Sequence, residues 1–147
     1  MKILRSFNMS IGINLLKSLV KTSSNKIGSI SDTEISEIHH NQKKDIPSGT
    51  AITLAESIRD GNKKFKKYAF REKSSHNLRK DGEIGFSSIR GGDVIGEHTV
   101  YFFLNGESLE LTHKAFDRKV FSDGALKAAI WICGKKPGLY SIIDMLG

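Results

Sequence analysis

A chain of 147 residues with a net charge of +7 has room for one domain with a modest core. Its single cysteine excludes a disulfide framework and suits a reducing cytoplasm. No apolar run approaches the roughly 20 residues of a transmembrane helix, and Asn8, Asn14 and Lys17 interrupt any signal-peptide core behind the basic start.

Ile11, Leu15, Leu16, Leu19 and Val20 recur at helical spacing behind Ser10, which predicts a first helix. Thr33 to Ile38 reads as a short strand. A polar cluster follows, and then Ala51, Leu54, Ala55 and Ile58 recur at i, i+3, i+4, i+7, the stripe of a second amphipathic helix. Pro47 forbids a helix running through from upstream, Ser48 is a good N-cap, and Gly61 is a plausible C′ glycine. Basic residues then crowd between Arg59 and Lys80, with Phe65, Tyr68 and Phe70 among them. No RNA-binding signature accompanies them, so a solvated lysine-rich connector is the expectation and a nucleic-acid patch rests on charge alone.

Ile84 to Arg90 reads as a strand, followed by a Gly-Gly-Asp turn. Asn105-Gly106 is a type I′ signal between two β-rich runs. A two-residue turn there pairs Leu104 with Glu107, Phe102 with Leu109, Val100 with Leu111 and His98 with His113. One hairpin face is then Val100, Phe102, Leu104, Leu109 and Leu111, apolar enough to pack on helices. The other carries Thr99, Tyr101, Phe103, Ser108, Glu110 and Thr112 and suits an oligomer interface. The two histidines are expected as a packed cross-strand pair before a metal or pH-sensitive one. Ser122-Asp123 should cap a third helix carrying Leu126, Ala129, Ile130 and a buried Cys133, stopped by Gly134 and Pro137. The expected fold is α+β: a mixed, mainly hairpin-built sheet of about four strands, helices on one face and an oligomer interface on the other.

The polar cluster from Glu37 to Ala51 holds the chemistry. It lies between a strand end and a helix start, where binding sites are common. The first N–H groups of the second helix, near Ser48, Gly49 and Thr50, lack intrahelical partners and sit at the positive end of the macrodipole, which suits an anion. Lys43 and Lys44 add charge, and His39 and His40 can donate protons near neutral pH. Equally, Ser-Gly-Thr behind a proline can be a helix cap and nothing more, and loop lysines are usually solvated. Zinc is disfavoured, since adjacent strand histidines point to opposite faces and no His-Glu-x-x-His occurs.

The run Glu-Ile-His-His-Asn-Gln-Lys-Lys-Asp-Ile-Pro-Ser-Gly-Thr-Ala closely resembles the signature of the 4-hydroxy-tetrahydrodipicolinate reductase (dihydrodipicolinate reductase) family. That pattern reads roughly Glu-x-His-His-x-x-Lys-x-Asp-x-Pro-Ser-Gly-Thr-Ala, and each fixed position is met. Arg90-Gly91-Gly92-Asp93, Gly96-Glu97-His98-Thr99, Thr112 to Arg118 and the tail also resemble family segments. Arg71-Glu72 resembles the family's Arg-x-Gly, but Lys73 replaces the glycine and no function is carried onto it. The resemblance implies reduction of 4-hydroxy-tetrahydrodipicolinate, with loss of water, to tetrahydrodipicolinate in diaminopimelate and lysine biosynthesis. NADH or NADPH would give the hydride. It makes His39 the general acid and lets Lys43 stabilise developing negative charge and help orient His39. His40 contacts substrate, and Ser48, Gly49 and Thr50 bind a carboxylate. Ser6, Phe7, Asn8, Met9 and Arg118 fall where the family meets its cofactor, with Met9 standing where an aromatic residue is common. Glu37 and Asp45 either position neighbours or serve structure alone. No metal is implied, and the family tetramerises through its sheet.

The resemblance spans the whole chain but only the second half of the family's enzyme. No Gly-x-Gly-x-x-Gly of a dinucleotide-binding domain occurs. Residues 1–147 therefore read as one substrate-binding and tetramerisation domain, with 1–10 a remnant of the inter-domain crossover. The nucleotide half is then lost or separately encoded, and the cofactor weakly held by this chain alone. A non-catalytic substrate-binding or oligomerisation module from a split or decaying gene shares every motif.

Overall fold

The computed structural model describes residues 1–70 and 78–147; the Arg71-Glu72-Lys73 segment lies outside the described residues. In chain order the elements are β1 (Lys2–Leu4), α1 (Ile11–Ile27), a short 3-10 turn (Gly28–Ile30), β2 (Asp32–His39), α2 (Gly49–Gly61) and β3 (Lys67–Phe70). Then come β4 (Glu83–Arg90), β5 (Gly96–Leu104), β6 (Glu107–Ala115), α3 (Lys119–Cys133), β7 (Gly138–Tyr140) and α4 (Ile142–Leu146). The fold is α+β, with a mixed sheet in the order β3-β4-β2-β5-β6 and a separate pair, β1-β7. No helix among the described residues is long and apolar enough to cross a membrane.

The sheet has five strands where about four were expected, and it is not mainly hairpin-built. β3, β4 and β2 run parallel, and only β5 and β6 are antiparallel to their neighbours. The unforeseen strand, β3, lies inside the lysine-rich run. Tyr68 and Phe70 pack their rings 5.4 Å from Phe86 of β4, while Lys67 stays exposed at the sheet edge. Lysine on an edge strand discourages pairing with another chain, which makes a strand read like a solvated connector.

The hairpin register is the expected one, with Leu104 opposite Glu107, Phe102 opposite Leu109, Val100 opposite Leu111 and His98 opposite His113. Its turn differs from type I′: Gly106 has φ of 83°, but Asn105 does not have positive φ. Glycine alone takes the left-handed conformation at little steric cost. Val100 and Phe102 are fully buried under the helices, whereas Leu109, farther out on β6, stays 38% exposed.

Helices α1 and α2 cover one face of the sheet. Ile13, Leu16 and Val20 of α1 and Ala51, Leu54, Ala55 and Ile58 of α2 meet Ile35, Ile84, Phe86, Val100 and Phe102. Each large apolar side chain so buried contributes about 1.5–3 kcal/mol. Both helices have the expected serine caps: Ser10 Oγ accepts the Ile13 N–H at 3.3 Å and Ser48 Oγ accepts the Ala51 N–H at 3.1 Å. Leu15 and Leu19, expected on the inner stripe of α1, are outside it and about half exposed. Gly61 is the last helical residue of α2, with Asn62 as the cap instead of a C′ glycine.

The third helix departs further from expectation. It starts at Lys119, whose N–H donates to Asp117 Oδ1 at 2.8 Å, and Ser122 donates back to the Lys119 carbonyl without capping. Its buried residues are Gly124 and Ala128; Leu126, Ile130 and Cys133 are exposed. Close approach decides the face, because a Cβ on Gly124 would overlap the Met9 carbonyl. The small-residue stripe therefore goes inward, and Cys133 is an exposed thiol, not a buried one.

Candidate active site

Along β2, Thr33, Ile35, Glu37 and His39 are buried toward the helices, and Glu34, Ser36 and Ile38 alternate to the other face. The buried row changes from apolar to ionisable where β2 passes beneath the start of α2. Glu37, 1% exposed, is the hub. Its Oε1 accepts the Ser48 N–H at 3.1 Å, the Ser88 hydroxyl at 2.7 Å and Arg90 Nη2 at 2.8 Å. Its Oε2 lies 2.7 Å from His39 Nδ1. Burial pushes the Glu37 carboxyl up, but the bonds from Arg90, Ser88 and Ser48 outweigh it and hold the group below its usual range, as an anion. Arg90 also donates to the Asp45 carbonyl at 2.7 Å, tying β4 to the loop after β2.

Two further histidines reach the same layer from the hairpin. His98 Nε2 is 3.0 Å from the Ser48 hydroxyl, and its ring meets that of His39 edge-on at 5.0 Å. Burial, then the neighbouring His39, push His98 down to about 4, so it is neutral at physiological pH. His113 Nε2 lies 3.4 Å from Ser10 Oγ, and burial lowers its basicity too. For His39 burial again comes first; Glu37 favours its imidazolium, Lys43 and Arg90 oppose it, and the net shift is downward.

Above this layer a cavity of about 220 Å³ is lined by Phe7, Asn8, Lys43, Ser48, Gly49, Thr50 and Thr53. It opens on the N-terminus of α2, whose first turn carries no acidic residue. Nothing lies within 4 Å of where a Gly49 Cβ would stand, so a ligand can reach the backbone there. Lys43 Nζ is held 2.7 Å from Asp45 Oδ1, and Asn8 Nδ2 donates to Thr50 Oγ1 at 3.2 Å. Free N–H groups, the positive end of a helix and an ammonium on one small cavity are features that suit an anion.

Glu37, His39 and His98 also offer three ligand atoms within 4.8 Å of one another. Arg90 already neutralises Glu37, and the 2.7 Å contact between its Oε2 and His39 Nδ1 is of ion-pair length. A divalent ion would crowd a second cation onto one carboxylate, so the trio fits a shared proton better than a metal.

Residues 12–146 match the family described as dihydrodipicolinate reductase, C-terminus. The chain belongs to this family. It is 50% identical over 147 residues to the 4-hydroxy-tetrahydrodipicolinate reductase of Beijerinckia indica subsp. indica, covering 99% of this chain and 54% of that protein. The enzyme of the same name from Syntrophotalea carbinolica is 45% identical over 142 residues, covering 95% of this chain and 53% of that one. Among solved structures, the dipicolinate-bound dihydrodipicolinate reductase from Paenisporosarcina sp. TG-14 superposes with a TM-score of 0.78 at 23% identity, over 100% of this chain and 55% of that one. This last likeness speaks to the fold. The chain spans about half the length of the curated relatives it matches.

The reductase signature is thus spread over two layers. Lys43, Ser48, Gly49 and Thr50 gather on the cavity with Phe7 and Asn8. His39 is packed beneath, its side chain 9% exposed, and its ring contacts are Glu37 and His98, whereas Lys43 pairs with Asp45. The side chain against His39 Nδ1 is thus Glu37, while the Lys43 ammonium is turned to Asp45. His40 is half-buried at the strand end, its carbonyl accepting the Lys43 N–H at 3.2 Å. Ser6 lies with Phe7 on a second cavity of about 470 Å³ toward Leu139 and Tyr140. Met9 packs its backbone on α3, and Arg118 is exposed at the start of that helix, on neither cavity's lining. Thr53, Ser88, Arg90 and His98 were not read as site residues. Thr53 is three positions after Thr50 and so shares its helix face; the others converge only through strand pairing.

Proposed function

We propose that this chain is the substrate-binding and general-acid half of a 4-hydroxy-tetrahydrodipicolinate reductase, an oxidoreductase of diaminopimelate and lysine biosynthesis in the cytoplasm. The observation that carries this reading is the open, cationic N-terminus of α2, with Lys43, Gly49 and Thr50 on one cavity. Such a cavity matches a dicarboxylate, and the superposable reductase is described as dipicolinate-bound. One substrate carboxylate takes the N–H groups of Gly49 and Thr50 and the Thr50 hydroxyl, beside Ser48, whose own N–H is held by Glu37; Lys43 balances negative charge, and His40 contacts the substrate from the loop.

NADH or NADPH supplies the hydride when bound. Phe7 and Asn8 line the same cavity, so the segment Ser6, Phe7, Asn8 and Met9 fits the nicotinamide end, with Arg118 farther off on α3. The rest of that cofactor belongs to a nucleotide-binding half carried on another part of the protein or another chain. His39 delivers the proton. Its imidazole is neutral near pH 7 in the ligand-free chain, because burial, Lys43 and Arg90 all disfavour the cation. A dianion arriving beside Lys43 offsets that charge and raises the proton affinity of His39, so binding itself loads the acid. The outer sheet face, where Tyr101 and Phe103 stack at 5.4 Å and Thr99 meets Thr112 at 3.0 Å, serves as the homotetramer interface.

Calorimetric titration with pyridine-2,6-dicarboxylate tests the site. The expected result is binding with proton uptake, lost in Lys43→Ala and Thr50→Val. A folded chain that binds no dicarboxylate overturns the reading. The alternative is then a non-catalytic oligomerisation module.

A further inference from the structure

We propose that Glu37 is the positioning residue that decides which nitrogen of His39 gives up a proton; this rests on the general-acid reading of His39. The two oxygens of Glu37 are used differently. Oε1 is saturated by three donors, the Ser48 N–H, the Ser88 hydroxyl and Arg90 Nη2. Oε2 accepts none of these three donors and stands in ion-pair contact with His39 Nδ1, at 2.7 Å. A carboxylate oxygen can only accept, so Nδ1 of the neutral imidazole must carry its proton and Nε2 must be the bare nitrogen. Proton uptake therefore occurs at Nε2, and the imidazolium returns that same proton while Nδ1–H stays on Glu37. Nothing else changes hands in the step.

The other side of the ring is arranged to match. Nε2 lies 3.0 Å from where a Cβ of Gly96 would stand; with glycine there, room remains beside the nitrogen that exchanges. The remaining groups around the ring are His98, pushed neutral, and the cations Lys43 and Arg90. None of them accepts from Nδ1. The carboxylate that sets the tautomer also holds the Ser48 N–H, so the proton donor and the start of the anion-binding helix share one anchor.

The test is the nitrogen-15 correlation spectrum of the histidine rings in the ligand-free chain, with His39 assigned by its loss in His39→Gln. Above the titration of His39, the wild type should show a protonated Nδ1 and a bare Nε2. Glu37→Gln should invert this. Its carbonyl is claimed by the three donors at the Oε1 position, so its NH₂ must point at Nδ1 and force that nitrogen to accept. A role for Glu37 in stability alone would leave the tautomer unchanged. A wild-type His39 protonated on Nε2, or a folded Glu37→Gln chain that keeps the Nδ1–H form, overturns the proposal. The wild-type spectrum decides even where the variant does not fold. Pyridine-2,6-dicarboxylate added to the same sample separates the two readings: a correct tautomer without binding refutes the proposed function and leaves the Glu37–His39 pair standing.

Discussion

The N-termini of α1 and α2 are built from the same parts and do different work. Each is capped by a serine, and each cap touches a hairpin histidine, Ser10 with His113 and Ser48 with His98. At α1 the space is filled. His113 Cδ2 would be 2.7 Å from a Cβ on Gly12, and the Asn14 amide donates to the carbonyls of Asn8 and Ser10. At α2 nothing approaches Gly49, Lys43 stands at the rim, and a buried Glu37–Arg90 pair braces the layer beneath. A serine cap over a histidine is thus a packing device; openness above and charge around are what suit the α2 end to an anion.

The strongest way to break this contrast is to remove a histidine from each end. In an enzyme completed with a nucleotide-binding half, His39→Gln should cut turnover by roughly 10²–10⁴, the usual contribution of a general acid, and His113→Gln by less than tenfold. Equal losses would erase the distinction.

Acid sensitivity comes next. His98 has a folded-state value of about 4 against an ordinary 6.5, so between those values the unfolded chain binds more protons. Stability is then fully present above about 6.5 and falls as pH drops toward 4, by roughly 3 kcal/mol in all. Urea unfolding across that window should show the slope, and His98→Gln should flatten it more than His113→Gln does. A slope untouched by His98→Gln would mean the ring is not held neutral beneath Ser48. In the same order of size, Lys43→Ala should weaken pyridine-2,6-dicarboxylate binding by roughly tenfold or more, the worth of a charge-assisted bond, while Ser10→Ala at the other helix leaves affinity alone. Calorimetry distinguishes the two.

How far such contrasts could be read from the chain depends on sequence distance. Ser10 and Ser48 act within their own first turns, so both caps were legible, and the Asn105-Gly106 loop fixed the register that puts His98 opposite His113. That Lys43, Ser48, Gly49 and Thr50 gather on one cavity was legible for the same reason, since Lys43 to Thr50 is one short segment. Its brace was not. Arg90 reaches Glu37 across 53 positions and His98 reaches Ser48 across 50, and only the β4-β2-β5 strand order brings them together. β3 was missed because this short edge strand lies in a lysine-rich run that has the composition of a solvated loop. The inner face of α3 was misjudged because Gly124 is selected by its close approach to Met9, which hydrophobic periodicity does not report.

The smallest expected effect is the most direct probe of the two helix starts: the same substitution, Gly to Ala, at Gly12 and Gly49. Alanine is the better helix former by about 1 kcal/mol in a helix interior, so in the absence of neighbours both changes should stabilise slightly. At Gly12 the new methyl meets the His113 ring at 2.7–2.8 Å, and overpacking of that kind typically costs about 1–3 kcal/mol. The ring, held between α1 and β6, must shift from Ser10. Net destabilisation of about 1 kcal/mol is expected by urea unfolding, with dicarboxylate affinity unchanged. At Gly49 the methyl meets nothing in the ligand-free chain, so stability should hold or rise a little while affinity falls, because the methyl stands where a carboxylate approaches the backbone. Should Gly49→Ala bind pyridine-2,6-dicarboxylate as well as the wild type, the open space over α2 is not where the anion sits, and the contrast between the two helix starts is one of packing only.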